Sequence, residues 1–183
     1  MRARIFVCTL LWFCGVAAGA PTDTWRGTLH KEIPALGHRN WVVVADSAYP
    51  LQIAPGIDTI ETSATQEEVL KAVLQELSAA KHVSPTVFLD AELPFVPEGK
   101  APGVTAYRNQ LKDLFGPLKT QSVLHEQLIK TLAEAGGTFH ILILKTTLTV
   151  PYTTVFFRLD CKYWSEQDEQ ELRQAMRASD GKK

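Results

Sequence analysis

The run Trp41-Val42-Val43-Val44-Ala45 constrains this chain more than any other stretch. Five consecutive apolar residues, three of them β-branched and none alternating with a polar one, mark a strand covered on both faces. Gly37, just before it, can stop a helix in the left-handed conformation. Asp46 follows where the strand should end. Open α/β sheets bind ligands at the carboxyl ends of their strands, which makes Asp46 a site candidate. His38 lies at the other end. A five-residue strand spans roughly 17 Å, so this strand alone does not bring both groups onto one small ligand within a subunit. Either they serve different purposes, or the site is assembled between subunits.

The rest of the chain alternates helical and strand patterns. A first helix is expected over 25–37, with Pro34 either starting its regular part or kinking it, since proline costs about 3 kcal/mol inside a helix. A short strand is expected over 57–62. Val69, Val73, Leu74 and Leu77 recur at helical spacing and predict a helix over 66–80, capped by Ser63 or Thr65. Residues 86–89 read as a second buried strand, with Asp90 and Glu92 at its end placed like site carboxylates. Residues 94–102 are rich in Pro and Gly and predict a loop. Further helices are expected over 105–115 and 126–135, and further strands over 122–124, 139–145 and 155–159. Ser165 opens a final polar helix, with Tyr163 and Trp164 packing it onto the sheet and the tail from Ser179 fraying. Together these elements predict a single α/β domain, a layered sheet with helices on both faces. Its organisation reads as a leader over 1–20, the α/β domain over 21–164 and a C-terminal helix and tail over 165–183.

The leader is legible from charge and hydropathy. Arg2 and Arg4 precede an apolar run from Ile5 to Phe13, and small residues follow through Gly15-Val16-Ala17-Ala18-Gly19-Ala20. That pattern is a secretory signal peptide, too short to span a membrane as an anchor. Cleavage after Ala18 puts small residues at the recognition positions, whereas cleavage after Ala20 would leave Pro21 beside the scissile bond. The expectation is a secreted or periplasmic protein with no membrane partner once the leader is removed. Cys8 and Cys14 leave with it, and Cys161, then the single cysteine, reads as a small buried strand residue. A net charge of -1 gives no electrostatic case for nucleic acid. No cysteine and histidine spacing suits zinc, no Gly-rich phosphate loop is present, and no nucleophile elbow supports a serine hydrolase.

Three segments resemble the ribose pyranase/fucose mutarotase (RbsD/FucU-like) family. They are Leu36-Gly37-His38 with Ala45-Asp46; His125-Glu126-Gln127-Leu128; and Lys145-Thr146 with Pro151-Tyr152 before the apolar Val155-Phe156-Phe157. They occur in the family's order with similar gaps, and Ile57-Asp58 sits where the family has an Ile-Asp pair. The resemblance covers roughly residues 29–159 and implies an isomerase that interconverts anomers or ring forms of a monosaccharide, with no metal or organic cofactor. It implies His38 as the catalytic acid/base, with Asp46 and Tyr152 beside it in the chemistry. His125, Lys145 and Thr154 fall at its sugar-binding positions. It also implies a homo-oligomer whose sites are shared between subunits. The residue types suit the reaction, because ring opening removes a proton from the anomeric hydroxyl and delivers one to the ring oxygen, and a histidine can do either.

The chain departs from the family pattern at Asn40, where the family has an acidic residue two after the His, at Leu148, where it has Glu, and at Thr154, where it has Asn. Those departures keep a second function open: a noncatalytic sugar-binding or assembly protein that retained the fold.

Overall fold

The structure is a computed structural model, and it describes residues 24–116 and 118–180. The leader expected over 1–20 lies outside the described residues. Six strands form one mixed sheet: β1 (Trp41–Ala45), β2 (Ile57–Glu61), β3 (Val83–Asp90), β4 (Thr120–Val123), β5 (Ile141–Lys145) and β6 (Val155–Cys161). Their spatial order is β2-β5-β1-β6-β3-β4. β1 runs parallel to β5, β5 to β2, and β3 to β4, while β6 lies antiparallel between β1 and β3. The helices are α1 (Thr24–Glu32), α2 (Gln66–Ala79), α3 (Val104–Phe115), α4 (His125–Ala135) and α5 (Glu166–Asp180).

The central strand explains the layering. All five residues of β1 are buried, as an uninterrupted apolar run requires. Val42 and Val44 point into a core built with Leu29 of α1, Val69, Val73 and Leu77 of α2, and Leu111 of α3. Trp41, Val43 and Ala45 point to the other face, where Leu128 and Leu132 of α4 meet Ile143, Phe156 and Tyr49. α2 begins with a complete capping box: the Thr65 side chain accepts from Glu68 N–H, and the Glu68 carboxylate accepts from Thr65 N–H. Gln66, Val69, Leu70, Val73 and Leu77 then form its buried stripe.

Several local expectations change. α1 ends at Glu32, before Pro34, so the proline follows the helix and neither starts nor kinks it. Gly37 is not left-handed; that conformation falls on Arg39 at φ 75°. The turn is closed instead by Asn40, whose Oδ1 accepts from Gly37 N–H at 2.7 Å and whose Nδ2 donates to His140 O at 3.0 Å. β3 begins earlier than its buried segment suggested, at Val83, because its first residues pair with the end of β6. A 3-10 turn, Leu93–Phe95, opens the expected loop. The C-terminal helix does not pack on the sheet: Tyr163 is 76 % and Trp164 45 % exposed, and every α5 residue from Glu166 to Ser179 is exposed except half-buried Glu169.

Candidate functional site

The antiparallel placement of β6 builds the site. Its first residue, Val155, pairs with Val44 near the end of β1 and with Leu89 near the end of β3. The residues just past β1, the last residue of β3 and the residues just before β6 therefore meet at one sheet edge. Two carboxylates arrive there buried, Asp46 at 7 % and Asp90 at 1 % exposure. Each Asp46 oxygen accepts one hydrogen bond: Oδ1 from Ala48 N–H at 2.9 Å, closing an Asx turn, and Oδ2 from the Thr154 hydroxyl at 3.1 Å.

His125 reaches the same edge from the opening of α4. Glu92, two residues beyond β3, holds that helix start by accepting from His125 N–H at 3.2 and 3.1 Å, a negative charge at a positive helix end. The imidazole Nδ1 lies 3.0 Å from Asp90 Oδ1. The two meet at ion-pair distance but without the alignment of a hydrogen bond, and neither Asp90 oxygen has another partner. The ring stands edge-on between two tyrosines, with centroids 6.1 Å from Tyr49 and 5.7 Å from Tyr152. Tyr152 adopts a left-handed backbone at φ 58°, which a tyrosine tolerates poorly; strained residues of this kind collect at functional sites.

Electrostatics follow from burial. Desolvation pushes the Asp90 carboxyl above the ordinary carboxylate range, against the pull of His125. The Asp90 carboxylate holds His125 above the ordinary imidazole range, with partial burial opposing it. Burial, with Asp90 and Asp46 adding to it, also raises the Tyr49 phenol, keeping it protonated. The edge is thus a small acidic, aromatic site in which one histidine and one buried carboxylate compete for a proton.

A buried polar knot supports it. Gln66 Nε2 donates to Thr153 O at 2.8 Å and Val44 O at 3.2 Å, and the Thr146 hydroxyl donates to Gln66 Oε1 at 2.6 Å. The Tyr107 hydroxyl donates to Thr153 O at 2.6 Å. These bonds tie β1, β5 and the segment carrying Tyr152 and Thr154 to α2 and α3.

Of the residues singled out in sequence, Asp46, His125, Tyr152 and Thr154 converge at this edge. Lys145 reaches it as the last residue of β5, but its Nζ donates to Tyr49 O at 2.8 Å and so fixes the loop. His38 lies at the opposite edge, before β1; it is exposed and makes no hydrogen bond among the described residues. Asn40 does not orient it, since the amide is spent on Gly37 and His140. Leu148 packs against the core on the α1–α3 face. Tyr49, Gln66 and Tyr107 were not foreseen. Gln66 left a signal, lying three residues before Val69 and seven before Val73, on the inward stripe of its own helix. A cavity of about 450 Å³ lies elsewhere, on the α3 side of β3 and β4, lined by Leu93, Leu111 and Phe115 with Arg108 and Lys112. It is separate from the His125 cluster.

No protein-family model matches the chain, and no curated protein matches it in sequence. Solved structures do match it in fold. RbsD of Bacillus subtilis, solved with D-ribose, superposes with a TM-score of 0.53 at 17% identity, over 72% of this chain and 89% of its own. FucU of Bifidobacterium longum superposes with a TM-score of 0.51 at 19% identity, over 72% and 90%. A fucose mutarotase of Streptococcus pneumoniae, solved with L-fucose, gives 0.49 at 19% identity, over 70% and 87%. The six-stranded mixed sheet with its helical layers is an α/β domain of the RbsD/FucU-like fold.

Proposed function

We propose that this chain is an exported mutarotase- or pyranase-like protein that interconverts anomers or ring forms of a monosaccharide by proton transfer. The observation that carries this is the convergence of Asp46, Asp90, His125 and Tyr152 at the carboxyl edge of an RbsD/FucU-like sheet. Sugar hydroxyls pair with such groups: the remaining lone pairs of Asp46 accept, the exposed Tyr152 hydroxyl donates or accepts, and the Tyr152 ring covers an apolar sugar face, while Thr154 holds Asp46 in place. Ring opening removes the anomeric proton and protonates the ring oxygen. His125 is in place for one transfer. His38, at the far edge, joins the other only from a neighbouring subunit, so the proposed enzyme is a homo-oligomer with shared sites. The reaction moves only protons and electron pairs and calls for no cofactor or metal. The leader sequence supports export.

A second function, noncatalytic monosaccharide binding, is favoured by one observation: Asn40 is spent on the turn, which leaves His38 without an orienting group.

NMR saturation transfer between the anomeric and ring forms of ribose, fucose and a small sugar panel separates the two. Acceleration by the wild type, reduced by His38→Ala, supports the shared-site enzyme. Sugar line broadening with no acceleration moves the protein to the binding class. Neither effect on any sugar refutes both.

A further inference from the structure

We propose that Asp90 is the positioning residue of this site, holding the His125 ring with Nδ1 turned inward so that Nε2 is the nitrogen that takes the anomeric proton. The chemical half of this rests on the sugar function proposed above; the positioning half rests on geometry alone.

A carboxylate buried to Asp90's degree ordinarily accepts two or more hydrogen bonds, because desolvation without partners costs several kcal/mol. Asp90 has none: its side chain is fully buried and both oxygens lack a hydrogen bond, with His125 Nδ1 at 3.0 Å as the nearest counterpart. Thr154, one residue before Val155, the β6 residue that pairs with Leu89, spends its hydroxyl on Asp46 instead. A buried acid whose near counterpart is the His125 Nδ1 is a poor stabilising choice and a good orienting one, since a ring turned with Nδ1 inward is placed to donate to it. The other nitrogen is in the opposite situation. Nε2 is not among the buried unpartnered atoms and makes no hydrogen bond among the described residues, so it is the solvent-facing edge of the ring.

The surroundings agree. The groups facing His125 are Asp90 from β3, Asp46 from the end of β1, Glu92 at the helix start, Glu126 on α4, and Tyr49 and Tyr152 on either side of the ring. All the charged ones are acidic. Lys145, the nearby base on β5, is engaged by Tyr49 O. In ring opening, Nε2 accepts the O1 proton and the O1–H pair becomes the second C1–O1 bond. The C1–O5 pair moves to O5, which takes the proton delivered by His38 of the neighbouring subunit in the function proposed above. Imidazolium formed beside Asp90 is stabilised by the carboxylate, and closure reverses both transfers.

The test is a ¹⁵N imidazole NMR titration of His125 in the full chain, in wild type and Asp90→Asn, with sugar exchange rates measured on the same samples. In wild type the neutral ring should carry its proton on Nδ1, and His125 should titrate above about 6.5. In Asp90→Asn the midpoint should fall by about one pH unit or more, and exchange should slow about tenfold or more with sugar affinity little changed. An unmoved midpoint overturns the positioning role whatever the sugar does. A midpoint that moves while the wild type accelerates no sugar overturns the proposed function and leaves Asp90's hold on His125 standing. If Asp90→Asn does not fold, the wild-type tautomer decides: a proton on Nε2 of the neutral ring overturns the proposal.

Discussion

Replacing Gln66 tests whether the polar knot behind the site is structural currency or coincidence. The amide is 3 % exposed. Its Nε2 donates to Thr153 O at 2.8 Å, Val44 O at 3.2 Å and the Tyr107 oxygen at 3.3 Å, and its Oε1 accepts from Thr146 at 2.6 Å. In Gln66→Leu two short bonds and two long ones disappear. Two partners keep a bond: the single Thr146 proton turns to Ala45 O at 3.0 Å, and Thr153 O still accepts from Tyr107. At about 0.5–1.5 kcal/mol net per good bond, and with leucine retaining the apolar contacts, the loss should be about 2 kcal/mol. Gln66→Glu keeps the shape but sets an oxygen against the carbonyls of Val44 and Thr153. Only the protonated acid can donate to them, so the folded-state pKa of this Glu must rise above its unfolded value of about 4.3. The sign follows: the variant has its full stability below that unfolded value and loses it as pH rises through the folded pKa, at about 1.4 kcal/mol per unit of upward shift. Against wild type, Gln66→Glu should cost about 2 kcal/mol at pH 4 and about 3 kcal/mol more at pH 7.5, while the cost of Gln66→Leu stays flat. Urea unfolding followed by the fluorescence of buried Trp25 and Trp41 measures both. A Gln66→Leu cost under about 0.5 kcal/mol, or a pH-independent difference for Gln66→Glu, refutes the knot as drawn.

Three other perturbations probe the elements around the site. Gly56→Ala would drive a Cβ into Phe139 O and to 2.7 Å from Gly136 O, both backbone, whereas Gly136→Ala meets the movable Ile57 side chain at 2.6 Å, so thermal melts should show the Gly56 variant the more destabilised of the two. Leu132→Ala, at a fully buried position of α4, should cost about 2–5 kcal/mol in urea unfolding and broaden the His125 resonances by loosening their helix. Glu98 accepts from the backbone N–H groups of Gly103 and Thr105, which hold its carboxyl down to about 2. Its support of the α3 start is therefore complete above an unfolded pKa of about 4.3 and fades as pH falls toward the folded value, and a carboxyl ¹³C titration with an ordinary midpoint would count against it.

The parts of the fold that the chain announces are those set by local physics. An apolar β-branched run without polar alternation can only be a doubly covered strand, and β1 is one. Thr65 and Glu68 form a capping box because their spacing matches the first turn of a helix. Asp46 and Asp90 were visible as strand-end carboxylates for the same reason. What stayed hidden depends on partners far along the chain. The antiparallel insertion of β6 between β1 and β3, which gathers Asp46, Asp90 and Thr154, is a choice among long-range pairings that periodicity does not encode. The pairing of His125 with Asp90 is a consequence of that topology, across 35 positions of sequence. The left-handed residue falling on Arg39 instead of Gly37 reflects Asn40 closing the turn, which outweighs the intrinsic preference of glycine. The aromatic Tyr163 and Trp164 looked like packing residues by type alone, and the sheet they were assigned to is already covered.

The proposed function requires a monosaccharide to bind at the carboxyl edge beside His125. Amide chemical-shift mapping during titration with ribose and with fucose tests it most directly. Shifts concentrated at Asp46–Tyr49, Asp90–Glu92, His125 and Tyr152–Thr154, and lost in His125→Gln, are the predicted result. Saturable shifts elsewhere, such as around Leu111 and Phe115 in the separate cavity, or none at any sugar concentration, would contradict it.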